Sequence, residues 1–278
     1  RTRYKKEEKE IRTQKLGPKE KIAKVPYIAM PIEKEEKKKH VELTKKIFDA
    51  LLASLENGKF VKTMNFERTV YTYKNHILAY PSNERTRKIH TKLFNLYLNH
   101  NKVDDATLAM KDYMKAYPGD VKIQQGMLTQ IMDQHIKDKN TDALAVWIAE
   151  LQKGFLSFQK DYIEKSILIL GGLLFDRYQK LDIAGKKEEA AMGYIELFKS
   201  EKYPQSIKAK SAYRASLIYL DMFYTKNSFK WLQTALKLFT EKERFERKKE
   251  ILAMVNKLML AQDFESSAAI SEDYIDIY

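Results

Sequence analysis

The chain has 278 residues, a formal net charge of +13, 44% hydrophobic residues and no cysteine. This is apolar enough for a continuous core. Missing thiols exclude disulfides and thiolate metal centres, and sparse Gly (9) and Pro (6), placed mostly between apolar-periodic stretches, argue against a β-rich fold. The longest apolar run, Ile167 to Phe175, is far short of the ~20 residues a membrane helix needs.

Charge is concentrated at the start. Residues 1–46 hold 16 Lys+Arg against 8 Asp+Glu, a net +8, which leaves +5 of the +13 for the rest of the chain. Residues 1–40 read as a basic arm, extended, disordered or a solvated helix, since the charge-dense stretch has almost no apolar stripe. Within it Val25–Ile32 is apolar and interrupted by prolines. Its Pro26, Tyr27, Ile28 and Met30 are candidates for docking, either along the first repeat's core or onto a partner.

From Glu33 a helix is expected, with Val41, Thr44, Ile47, Phe48, Leu51, Leu52 and Leu55 on one buried stripe and a stop at Asn57-Gly58. A second helix ends at Pro81, and a third carries Ile89, Leu93, Leu96 and Tyr97. The stretch Asn101–Asp120 is the clearest unit. Asp104 and Asp105 open it, Ala106 follows, Met110, Tyr113 and Met114 recur at helical spacing, and Tyr117-Pro118-Gly119-Asp120 stops it. The next helix, over 120–138, turns Ile123, Met127, Leu128, Ile131 and Met132 inward and pairs with the helix carrying Trp147.

The same unit recurs. Thr69 and Pro81 stand twelve apart, as do Ala106 and Pro118, and the pattern continues at Ala143, Ala190, Ser228 and Ser267 with successive offsets of 37, 37, 47, 38 and 39. Phe155 replaces the proline in the third copy. The long offset means either a first helix two turns longer or an inserted loop, and its Gly171-Gly172 pair reads as tight packing or as a kink or groove. A period in this range signals a solenoid of helix pairs. Further on, Ala212, Ala215, Leu217, Ile218 and Tyr219 mark another first helix, and the closing Ile275–Tyr278 would leave an apolar edge for a further repeat, a cap or a partner.

The small residue followed by proline, with Leu93 and Tyr97 ahead of Ala106, resembles the tetratricopeptide (TPR) repeat, here in degenerate form, since His90 and Phe94 stand where that family has Trp and Gly. The Tyr-Pro endings at 80–81, 117–118 and 203–204 are similar to those of bacterial cell-envelope TPR proteins. The resemblance covers residues 41–278. It implies an all-α, right-handed solenoid of antiparallel helix pairs, about six repeats, with a concave groove lined by first helices. In that register the groove candidates are Lys88, Lys92, Asn95 and Asn99, and then Lys210, Tyr213 and Arg214, residue types with which family members grip peptide ends.

Chemistry is not signalled. The histidines, 40, 76, 90, 100 and 135, have no paired ligand spacing, and no phosphate-cradling or nucleophile-elbow motif occurs. The expectation is a non-enzyme with no metal and no cofactor. The first functional reading is a protein-docking scaffold in a multi-protein, cell-envelope assembly, consistent with a chain devoid of cysteine. The alternative is a nucleic-acid binder gripping phosphates through the basic arm.

Overall fold

The computed structural model describes residues 34–56, 66–81, 84–261 and 263–277. The docking candidates Pro26, Tyr27, Ile28 and Met30 lie outside these, as do the side chains of the closing 275–278 stretch. The described residues form thirteen α-helices, one short 3₁₀ turn and no strand. In chain order the helices are α1 Lys34–Glu56, α2 Phe66–Ala79, α3 Glu84–Asn99, α4 Val103–Ala116, α5 Val121–Lys137, α6 Thr141–Gln152, α7 Lys160–Ile183, α8 Lys187–Lys199, α9 Gln205–Asp221, α10 Thr225–Leu238, α11 Glu241–Glu246, α12 Lys248–Leu260 and α13 Phe264–Ile277. None is long and apolar enough to cross a membrane.

The chain divides into a unit of residues 1–64, holding α1, and a unit of residues 65–278, holding α2 to α13. On α1 the buried stripe is narrower than expected. Leu52 is buried and Thr44 and Phe48 half-buried, one row at i, i+4, i+8, whereas Val41, Ile47 and Leu51 are exposed. Apolar residues spread over both flanks of a helix cannot all face one neighbour.

In the second unit, helices adjacent in sequence pack on one another from α2 through α10, and α12 packs on α13. A further set of contacts skips one helix: α3 with α5, α5 with α7, α7 with α9 and, past the short α11, α9 with α12 and α10 with α13. From α3 to α9 each helix thus packs on both of its neighbours in sequence, and α3, α5, α7 and α9 also on a helix further along. The resulting core includes Phe94, Met110, Tyr113, Leu128, Met132, Tyr194 and Leu232, all essentially inaccessible to solvent. Ile123 is an exception to the expected inward set, because the buried face of α5 begins at Gln124 and continues through Met127 and Leu128, leaving Ile123 off it.

The turns repeat with the helices. Asn101, Lys139, Gly185 and Phe223 all adopt left-handed φ values, 56°, 55°, 80° and 63°. After each, the next residue's N–H returns to the carbonyl five back, at 2.9 Å in all four cases (Lys102 to Tyr97, Asn140 to His135, Lys186 to Leu181, Tyr224 to Tyr219). This ends one helix and starts its mate in a fixed geometry. Asn and Gly suit such a position, whereas Phe223, a bulky residue left 82% exposed, does not.

These turns correct the repeat register. Each second helix opens with an N–H to C=O bond from an equivalent residue: Ala106 to Lys102, Leu144 to Asn140, Ala190 to Lys186, Ser228 to Tyr224 and Ser267 to Asp263. The third copy is therefore marked by buried Leu144, not by half-buried Ala143, and the offsets from Ala106 onward become 38, 46, 38 and 39. The 46 arises mainly from helix lengthening. α7 has 24 residues against 17 in α5 and α9, about two extra turns, and the connection before it, residues 153–159 with the 3₁₀ turn Phe155–Ser157, is also longer than its counterparts 117–120 and 200–204.

Glycine explains how the long helix fits. A Cβ on Gly171 would stand 2.5 Å from Ile207 Cδ1, so α7 lies directly on the start of α9, while the space beside Gly172 is open. Gly193 does the same for α8, where a Cβ would meet the Tyr178 ring at 2.3 Å. Helix starts depend on different devices. Asn140 caps α6 by accepting from the Ala143 N–H at 3.1 Å. Asp104, Asp105, Glu188 and Glu189 lie in the first turns of α4 and α8, whose starts have no side-chain cap bond. Their benefit is the electrostatic one of an anion near a helix N-terminus.

Candidate functional site

Two polar clusters interrupt the apolar packing of the second unit. The first joins α3, α4 and the start of α5. Tyr113 on α4 is fully buried, and its hydroxyl donates to Asp120 Oδ2 at 2.5 Å while accepting from Arg87 Nε at 3.3 Å. Arg87 Nη2 is also ion-paired with Asp120 Oδ1. His90 and Tyr117 close the cluster with edge-on ring contacts, His90 lying 6.0 Å from Tyr113 and 5.7 Å from Tyr117. Desolvation drives the His90 pKa below the ordinary histidine value, and burial raises that of Tyr113. One cation meets one anion here, both directly and through a neutral hydroxyl. Nothing charged is left over to recruit a ligand.

The second cluster lines an open cavity of about 550 Å³ between α9 and α12. One wall is Lys210, Tyr213, Arg214 and Leu217, spaced i, i+3, i+4, i+7 along α9. The other is Glu250, Ala253, Met254 and Lys257, with the same spacing on α12. Both spacings define one face of a helix, so two faces look at each other. Glu246 at the end of α11, Arg247 at the joint before α12, and Phe175 from α7 complete the lining.

Its geometry follows from a bend in the chain. Thr240 caps α11 in a reciprocal box with Glu243: the Glu243 N–H donates to Thr240 Oγ1 at 3.3 Å and the Thr240 N–H to Glu243 Oε2 at 3.1 Å. The Thr240 N–H is the main reason the Glu243 carboxyl titrates low. The chain then turns at Arg247, whose guanidinium donates to the Glu243 carbonyl at 3.0 Å and lies 4.6 Å over Phe239 and 5.9 Å from the Tyr213 ring. Buried Tyr213 donates to Glu250 Oε2 at 2.8 Å, and burial together with that bond holds its hydroxyl protonated well above the usual tyrosine range.

The charge balance differs from the first cluster. Four cations (Lys210, Arg214, Arg247, Lys257) face two carboxylates (Glu246, Glu250). Glu250 is committed to Tyr213, and Glu246 lies 4.0 Å from Lys242 on its own helix. Lys257 pairs with Asp221 at 3.5 Å. Among the described residues, Lys210, Arg214 and Arg247 have no ion pair of their own, beside an apolar lining of Phe175, Leu217, Ala253 and Met254.

The expected groove residues separate into two sets. Lys210, Tyr213 and Arg214 come together in this cavity. Lys88, Lys92, Asn95 and Asn99 are exposed along α3, which packs on α2, α4 and α5, and they take no part in it. Tyr213 is a buried support for Glu250, so its contribution to the cavity is orientation. The opposite wall, Glu246, Arg247, Glu250, Met254 and Lys257, went unread. Its signal was the Thr240-x-x-Glu243 pattern, a capping box that announces a separate short helix and hence a change of direction. No group of three or more His, Asp or Glu side chains able to hold a metal ion occurs among the described residues.

No protein-family model matches the chain, and no curated protein matches it. What is plain is an all-helical protein, compatible with a helical repeat fold, with an open polar cavity between α9 and α12.

Proposed function

We propose that the chain is a non-catalytic docking scaffold: a TPR-like, right-handed array of about six stacked helix pairs that holds a segment of another protein on the row formed by α3, α5, α7, α9 and α12. The assembly it serves belongs, on this reading, to a bacterial cell envelope, where a chain free of cysteine is at no disadvantage. The observation that carries the reading is the α9–α12 cavity, where Lys210, Arg214 and Arg247, without an ion pair among the described residues, stand beside apolar side chains. Recognition surfaces combine apolar area with a few oriented polar groups in this way. Support also comes from the helix-skipping contacts and the recurring left-handed turns, which are what stacked hairpins require.

The test is co-purification from the source cell with nuclease present, comparing the whole chain with Lys92→Glu and Arg214→Glu at matched helical content. Loss of a defined protein set in Arg214→Glu supports the reading. Recovery that disappears with nuclease would replace it with nucleic-acid binding.

A further inference from the structure

Deepening this docking reading, and resting on it, we infer that the α9–α12 cavity selects an acidic segment of a protein, in which two carboxylate side chains accompany a large apolar residue. The occupant follows from what the lining lacks and what it offers. Lys257 is answered by Asp221 and Glu246 lies against Lys242, so on the lining Lys210, Arg214 and Arg247 face Glu250 alone, a surplus of two positive charges that carboxylates of a partner would neutralise. Lys210 and Arg214 stand one turn apart on α9, and Arg247 faces them across the cavity from the joint before α12. None of the three has an ion pair among the described residues; Glu243, held in the Thr240 cap, is the carboxylate whose charge reaches Lys210 and Arg247. Arg247 is held in place rather than free, with its guanidinium stacked 4.6 Å over Phe239 and donating to the Glu243 carbonyl. A cation fixed in advance loses less entropy on meeting an anion than a free one.

Beside these charges the lining is apolar: Leu217 from α9, Met254 from α12 and Phe175 from α7. Methionine and leucine adapt to a range of side-chain shapes, so this part of the cavity accepts a bulky aliphatic or aromatic residue without demanding one. Glu250 completes the selectivity. Fixed by Tyr213 at 2.8 Å and standing beside Glu246, it places negative charge at the α12 edge, which disfavours a polyanion lying along the whole row. A phosphodiester backbone, with a charge on every residue, meets these carboxylates wherever it lies. A segment with two spaced carboxylates avoids them.

The experiment titrates a short peptide, Gly-Glu-Gly-Leu-Phe-Gly-Glu-Gly, blocked at both ends, into the isotopically labelled whole chain, with amide and methyl shifts followed by nuclear magnetic resonance. Blocking removes terminal charge as a source of binding. The expected result is shifts confined to α9, α11 and α12, binding at least about tenfold weaker for the Gln counterpart and for a peptide with Ala in place of Leu-Phe, and a similar loss in Lys210→Ala/Arg214→Ala with helical content unchanged. Equal binding of the Glu and Gln peptides, shifts centred on α3, no shifts at all, or displacement by an equal charge of oligonucleotide would each overturn the inference. Failure here is separable from failure of the scaffold reading. Protein co-purification that survives nuclease and depends on Lys92 but not on Arg214 keeps the scaffold and rejects this site; no nuclease-resistant protein rejects both.

Discussion

The α3–α5 cluster and the α9–α12 cavity are built from the same parts and end in opposite states. Each has a buried tyrosine whose hydroxyl donates to a carboxylate in or just before a following helix, and each has an arginine against that tyrosine. In the first, Arg87 pairs directly with the same Asp120 that Tyr113 holds, so charge is balanced within the fold. In the second, α11 is inserted between α10 and α12, the arginine sits on the bend, and its charge faces a cavity instead of the tyrosine's carboxylate. A polar cluster whose charges cancel internally ties helices together. One with a surplus beside apolar surface is equipped to take a partner.

Breaking the closed cluster should affect stability most. Asp120→Ala removes the acceptor of a fully buried hydroxyl, with an expected loss of about 1–2 kcal/mol in urea unfolding, most of it from stranding Tyr113 because half-exposed Arg87 regains water. Partner or peptide binding should not change; a parallel loss would mean that the two regions are not independent.

The pH response comes next. Burial lowers the pKa values of His90 and His135, so the unfolded chain binds more protons than the native one just below pH 6.5. Their contribution is therefore complete above pH 6.5 and is lost as pH falls from there toward the lowered native values. The melting temperature should drop across that window, and His90→Gln should flatten part of the drop; a melting temperature that rises on acidification would contradict the assignment.

Smaller again is Tyr213→Phe, expected to cost about 0.5–1 kcal/mol, because Glu250 is exposed enough to recover water as its partner. It should nevertheless weaken peptide binding by freeing Glu250 to reach Arg214. Smallest in stability is Arg214→Glu, within about 0.5 kcal/mol as for surface substitutions, while peptide affinity falls at least about tenfold. That pairing of negligible unfolding effect with large binding effect is what separates the open region from the closed one.

The fold was legible wherever a helix crossing demands a small residue. Ala106, Ala190, Ser228 and Ser267 mark their second helices correctly and are buried. The rule misplaced the third copy by one, since Leu144 takes that position and the adjacent Ala143 only looked the part. Gly171 was readable as tight packing, whereas nothing in the Gly171-Gly172 pair says which of the two the neighbour touches. Half of the cavity was legible as well. Lys210, Tyr213 and Arg214 follow from the repeat register, but Arg247 and Glu250 reach them only because α11 turns the chain, and a register carried over from regular repeats has no place for it. The α3 set failed to join them for the converse reason: a shared register position says which way a side chain faces, not whether distant repeats form one site.

The most direct measurement places a photo-cross-linking amino acid at position 217, inside the cavity, and separately at position 95 on α3, in the whole chain expressed in its source cell, with adducts read by mass spectrometry after nuclease treatment. The account expects discrete protein adducts from position 217, on peptides carrying Asp or Glu around a large apolar residue, and few from 95. Adducts from 95 alone, or nuclease-sensitive adducts from 217, would contradict it.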